Sequence, residues 1–167
     1  PKIIYFMSCN NVRVQDVTLR NSAYWTQDYE KCDGVIVRGV KVYCHSNWNN
    51  DGLDIDSRNV VVSDCYIDCD DDALCLKSDT DTPCENVTVT NCVLKTNCNA
   101  IKFGTSSYSG FKNVTISNCV IDRASEDHIR QWYKNYPWLG TKDKTVVAGI
   151  ALESVDGGLM ENVIISD

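Results

Sequence analysis

Short runs in which apolar and polar residues alternate recur along the whole chain. Asn11-Val12-Arg13-Val14, Gly34-Val35-Ile36-Val37, Asn59-Val60-Val61-Val62, Asn86-Val87-Thr88-Val89, Asn113-Val114-Thr115-Ile116 and Asn162-Val163-Ile164-Ile165 begin 23, 25, 27, 27 and 49 residues apart. Period-two alternation puts every second side chain on one face of an extended strand, and β-branched residues fit that pleated surface. Each run is followed within a few residues by a second: Val17-Thr18-Leu19, Val40-Lys41-Val42, Cys65-Tyr66-Ile67, Cys92-Val93-Leu94 and Cys119-Val120-Ile121. A third set precedes the asparagines: Ile3 to Ser8, Gly52 to Ser57, Ala73 to Ser78, Ala100 to Thr105 and Gly149 to Ser154. Three short strands per repeat predict an all-β chain, a right-handed parallel β-helix of about five to six coils forming a single domain. An antiparallel sandwich also has many short strands, but it does not explain why one residue type recurs at 27-residue intervals.

Stacking the coils turns the repeat into columns. Cys65, Cys92 and Cys119 fall in an inward column with Val17 and Val40. Neighbouring Cβ atoms at the ~4.8 Å strand spacing lie outside comfortable disulfide range, so this is read as a packing ladder of thiols acting as small hydrophobes. Cys9, Cys32, Cys44, Cys69, Cys75, Cys84 and Cys98 remain without an assigned partner. The recurring asparagines are expected to stack at turns and satisfy backbone groups there. Facing outward are the columns Asp54, Cys75, Lys102, Ala151 and Asp56, Lys77, Gly104, Glu153. Just before these strands lie Asp51, Asp72, Asn99 and Ala148, and one position earlier Asn50, Asp71 and Cys98.

Composition narrows the classes. Hydrophobic residues make up 43% of the 167, yet no apolar run approaches the ~20 residues of a membrane span. A net charge of −7 argues against a nucleic-acid partner, which would want a basic stripe. Ten cysteines would suit a secreted disulfide scaffold, though the ladder accounts for three of them differently. Pro1 opens in the middle of an apolar run without a signal peptide, which reads as an excerpt of a longer helix. The expectation is a monomeric, secreted or periplasmic protein.

The acidic columns suggest chemistry. Asp51 and Asp72 stand one rung apart and could share a water or a cation, while Asp71, adjacent in sequence, points to a different side. Inverting glycoside hydrolysis needs that division: a base to activate water and a protonated acid to reach the leaving oxygen from the other face. Crowding three carboxylates keeps one of them protonated near neutral pH. The plainer reading is aspartates that cap turns, as isolated ones often do.

The element Asn49 to Gly52, paired with Asp71-Asp72-Ala73-Leu74 inside a β-helical repeat, resembles glycoside hydrolase family 28, the polygalacturonases and related pectin hydrolases. The upstream run Arg20-Asn21-Ser22-Ala23-Tyr24-Trp25-Thr26 looks like the same family, and the resemblance covers essentially the whole chain. It implies an inverting hydrolase acting on pectic polysaccharide, with Asp71 as general acid and Asp51 and Asp72 positioning and deprotonating the water. No cofactor and no metal are implied. Two departures stand out. Asn99 occupies the place of the histidine in the family's Gly-His-Gly element, and Ala151-Leu152-Glu153 replaces an Arg-x-Lys pair that holds a substrate carboxylate. Lys77 and Lys102, on the same outward face, could supply positive charge instead, or could be ordinary solvated lysines. Neither His45 nor His128 aligns with the absent histidine, and both are read as structural or exposed.

The 49-residue interval carries an insertion at about 122–144, leaving at the turn that bears the aspartates in earlier coils. Its Trp132, Tyr133, Tyr136 and Trp138 could form a wall on which sugars stack, or a small core of their own. Trp48, just before Asp51, is a further candidate platform, and Asp54 belongs to the same face. Two rival functions fit the same fold. A lyase or uronate epimerase would hold Ca²⁺ on the acidic cluster, and a non-catalytic β-helix would only bind glycans.

Overall fold

The computed structural model describes residues 1–127 and 146–167. It is an all-β parallel solenoid, with no helix among the described residues. Four turns are described throughout, and strands on either side of 128–145 complete a further one.

Three columns of strands build the coil. The first holds β1 (Ile4–Met7), the leading halves of β4 (Gln27–Arg38) and β6 (Leu53–Ser63), then β8 (Leu74–Ser78), β11 (Asn99–Ser107) and β14 (Ala148–Leu152). The second holds β2 (Asn10–Gln15), the trailing halves of β4 and β6, then β9 (Cys84–Thr90), β12 (Phe111–Ser117) and β15 (Met160–Ser166). The third holds β3 (Thr18–Arg20), β5 (Lys41–Cys44), β7 (Tyr66–Cys69), β10 (Val93–Thr96) and β13 (Val120–Arg123). Every pairing is parallel, so identical positions stack rung on rung.

The stacking explains the sequence columns. Val12, Val35, Val60, Val87 and Val114 align in register and are buried. Leu19, Val42, Ile67 and Leu94 form a second buried ladder. Lys41 N donates to Val17 O, Tyr66 N to Val40 O, Val93 N to Cys65 O and Val120 N to Cys92 O, which places the cysteine column where the repeat predicts it. All ten cysteines are free thiols.

The asparagines behave differently from expectation. Asn11, Asn59, Asn86, Asn113 and Asn162 adopt left-handed backbone with φ of 53 to 56°, a conformation whose cost asparagine tolerates better than other non-glycine residues. Gly34 takes the same place in its rung. From Asn59 onward their side chains bond each other: Asn86 Nδ2 donates to Asn59 Oδ1 at 3.0 Å, Asn113 to Asn86 at 3.0 Å and Asn162 to Asn113 at 2.9 Å, while Asn59 Nδ2 donates to Asp33 Oδ1 at 2.6 Å. An amide carries both donor and acceptor, so it can continue such a ladder indefinitely.

One rung was absent from the sequence reading. Between Ile3 to Ser8 and Gly52 to Ser57 lies Gln27 to Glu30, the leading half of β4, paired on one side with β1 and on the other with β6. Its inward residues are Gln27 and Tyr29, both fully buried, with Tyr29 OH donating to Gln27 Oε1 at 3.1 Å and Gln27 Nε2 to Gly52 O at 3.3 Å. A buried polar pair satisfied in this way is stable, but it hides the hydrophobic alternation by which the other rungs are recognised.

Candidate active site

The first column of strands carries the acidic face, and register fixes who stands beside whom. Leu53 pairs Leu74, and Leu74 pairs Ile101. Two positions earlier, Asp51, Asp72 and Asn99 therefore stack in successive rungs, with Ala148 beside Asn99. Gly52 N donates to Asp72 O at 2.8 Å and Ala73 N to Asn99 O at 2.9 Å, carrying the ladder through the corner. The extra rung extends the column backwards: Thr26 N donates to Asp51 O at 2.8 Å, which sets Trp25 beside Asp51. Glycine at 52 is a packing requirement, since a Cβ there would lie 2.3 Å from Ile67 Cγ2 and 2.7 Å from Ala73 O.

The three aspartates occupy different environments. Asp72 is buried between donors: Asn99 Nδ2 reaches its Oδ1 at 2.6 Å, Asn99 N reaches the same oxygen at 3.2 Å, and Lys102 Nζ lies 3.0 Å from Oδ2. All three partners point donors at its oxygens. Asp71 is half-buried, and its Oδ1 accepts the backbone N–H of Asp72 at 3.0 Å. Burial and then the charge of Asp72 push its carboxyl up, against the hydrogen bond of the Cys98 thiol. Asp51 is buried, its Oδ1 accepts no hydrogen bond, and its pKa is driven well above the usual carboxylate range by burial, then by Asp54, Asp71 and Asp72.

Asp54 has no accessible surface, and neither carboxylate oxygen makes a hydrogen bond. Burial pushes it up to about 7, although the ammonium of Lys77, 3.4 Å from Oδ1, pulls the other way. It reaches the site through Asp51 and Lys77 rather than by its own surface. Asp28, in register with Asp54, joins the cluster from the unpredicted rung and is bonded by Lys2. Lys77 and Lys102 are not solvated lysines, their side chains being 13% and 15% exposed. Lys77 Nζ sits 4.4 Å from the ring centroid of Trp25, and Lys2 Nζ sits 4.7 Å from it. Burial alone would lower the Lys102 ammonium, but the Asp72 carboxylate more than offsets that and raises it.

The neighbouring turns are tied down. Asn50 Nδ2 donates to Ser22 O at 2.8 Å and Tyr24 O at 2.9 Å, and its Oδ1 accepts from Asn47 N at 2.8 Å. That asparagine anchors the turn in front of Asp51, on which Trp48 is 56% exposed. His45 is structural: its buried Nε2 lies 2.9 Å from Asp68 Oδ1. The start of the long interval is held at the same corner, with Ser125 N on Asp68 Oδ1 at 3.0 Å and Asn97 Nδ2 on Glu126 O at 2.9 Å. Trp132, Tyr133, Tyr136, Trp138 and His128 lie outside the described residues.

Two groups could present ligand atoms within 4.8 Å of one another, Asp51 with Asp54 and Cys75, and Asp71 with Asp72 and Cys98. Each offers two carboxylates and a thiol, and an ammonium already sits on one carboxylate of each. Ca²⁺ takes roughly six to eight oxygen ligands, so this donor set serves it poorly.

The parallel β-solenoid thus gathers three crowded aspartates at the corner that leads into its first column of strands. The chain belongs to glycosyl hydrolases family 28, whose model matches residues 1–130. It is also similar to a probable polygalacturonase of Arabidopsis thaliana, 33% identical over 82 residues. That match covers 48% of this chain and 18% of the relative's length.

Proposed function

We propose that this chain carries the catalytic centre of an inverting glycoside hydrolase that cleaves galacturonosyl-type linkages in pectic polysaccharide. Family membership supports glycosidase chemistry, and the name of the Arabidopsis relative supports a polygalacturonase-like substrate. The observation that carries the reading is the contrast between Asp71 and Asp72. Burial and a neighbouring charge favour the protonated form of Asp71, whereas Asp72 is gripped by an ammonium and two N–H donors. That contrast divides the roles of proton donor and base between two neighbouring carboxyls, as general acid–base hydrolysis requires.

In this mechanism Asp71 gives its proton to the glycosidic oxygen as the bond to the anomeric carbon breaks. Asp72 takes a proton from the water that attacks the opposite face. Asp51, whose burial and acidic neighbours favour its protonated form, holds the water by hydrogen bonding. Asn99 and Lys102 position Asp72, while Asp54, with Lys77, sets the charge around Asp51. Trp48, Trp132 and Trp138 are assigned to sugar stacking. A pectic polymer as substrate supports a secreted or periplasmic enzyme, proposed here as a monomer.

The test is reducing-end release from a pectic polymer by the full-length protein and by Asp51→Asn, Asp71→Asn and Asp72→Asn. Each substitution should abolish release while leaving the β-sheet circular dichroism unchanged. Full activity in any one of them removes that residue from the mechanism.

A further inference from the structure

The acidic sheet is unevenly charged on its two flanks, and the difference bears on which sugar each flank can hold. Beyond Asp72, the outward positions of the next two rungs are Lys102 and Gly104, then Ala151 and Glu153, with Asn99 and Ala148 at the corner before them. Among the described residues they present one ammonium, and it is engaged twice. Lys102 Nζ lies 3.0 Å from Asp72 Oδ2 and 3.9 Å from Glu153 Oε2. Glu153 is fixed by the Thr105 hydroxyl, which donates to Oε2 at 3.2 Å, and its side chain is 38% exposed, so it faces whatever binds there. Ala148 and Ala151, half-buried, add only methyl groups. On the opposite flank two ammoniums, Lys2 and Lys77, gather over the Trp25 ring. Their partners Asp28 and Asp54 are buried carboxyls whose pKa values burial raises, that of Asp54 to about 7, so in weakly acidic solution Lys77 is less neutralised.

We propose that the subsite beside Lys102 takes a neutral sugar unit, and that Glu153 determines this specificity by excluding a uronate. A uronate there would set its carboxylate against that of Glu153 and compete with it for the Lys102 ammonium. A neutral sugar, or a uronate carried as its methyl ester, does neither and can lie over Ala148 and Ala151. Acidic units are then directed to the Lys77 side. This rests on the polysaccharide hydrolase reading, and it narrows the substrate to polymers in which an uncharged unit follows the cleaved bond on that flank.

The experiment compares full-length protein with Glu153→Gln on galacturonate oligomers of one length, as free acid and as full methyl ester. Glutamine keeps the length of the side chain and can still accept the Thr105 hydroxyl. Binding is measured calorimetrically on each protein with Asp71→Asn added, and cleavage on each without it. The free-acid oligomer should bind Glu153→Gln about tenfold more tightly, as expected when a like-charge contact is removed. The ester should bind both proteins equally, and raised salt should shrink the difference. An equal change for both oligomers, or none for either, overturns the assignment of Glu153. Binding with that selectivity but no cleavage overturns the hydrolase reading alone, and cleavage without selectivity overturns the inference alone. Failure to bind either oligomer overturns both.

Discussion

Replacing Asp54 by asparagine should remove a loss of stability that its carboxyl imposes as pH rises. Asp54 is fully buried, and burial raises its pKa from 3.8 to about 7 despite the ammonium of Lys77. Between these values the folded protein keeps a proton that the unfolded chain has released. Stability is therefore full below the unfolded pKa and falls as pH rises through the folded one. A shift of about three units corresponds to about 4 kcal/mol once the group is ionised in the fold, and complete burial leaves no solvent screening to reduce it. For a chain of this size that is on the order of 10 °C in melting temperature. Asparagine does not titrate, so pH-independent effects such as altered packing cancel when the same pair of proteins is compared at two pH values, while the Lys77 contact is already contained in the folded pKa of Asp54. Thermal melts of both proteins at about pH 4 and about pH 8 make the comparison, and the variant should gain on the parent by several degrees at the higher pH. Melting curves that run parallel across that range would refute the placement of a fully buried carboxyl, only partly offset by Lys77, beneath Asp51.

Two further substitutions test the scaffold beneath the site. Asn86→Ala removes two ladder hydrogen bonds and puts a Cβ-bearing residue without a bonding side chain at φ 56°; urea melts should show a loss of roughly 1–2 kcal/mol, with Asn86→Gly losing less. Gly52→Ala drives a methyl into Ile67 and the Ala73 carbonyl, so it should destabilise by about 1–3 kcal/mol and depress turnover by moving Asp51, whereas unchanged melting and activity would mean that the corner is looser than described.

The solenoid could be read from sequence because parallel stacking copies each residue type into the next coil. The valine and cysteine ladders, the paired aspartates and most of the asparagine positions declare themselves at 21- to 27-residue intervals. The missed rung shows the limit of that logic. Gln27 and Tyr29 fill the interior by satisfying each other, so no apolar alternation marks them, and β4 and β6 each run through a corner that sequence reads as a break. With that rung went Asp28 and the place of Trp25 beside Asp51. The near absence of exposure at Asp54 was likewise illegible, since an outward position on a strand implies solvent unless a neighbour such as Lys77 lies across it. The asparagine ladder was located correctly, but its partners were not, because left-handed backbone turns each amide toward its counterpart one rung away.

The central claim is that Asp71 and Asp72 divide acid and base in a single displacement. Proton NMR of the first products released from a pectic oligosaccharide by the full-length protein tests it most directly. The account predicts a newly formed reducing end with the anomeric configuration opposite to that of the cleaved bond, appearing before mutarotation, and absent with Asp71→Asn. Retention of configuration, or an unsaturated product, would contradict it.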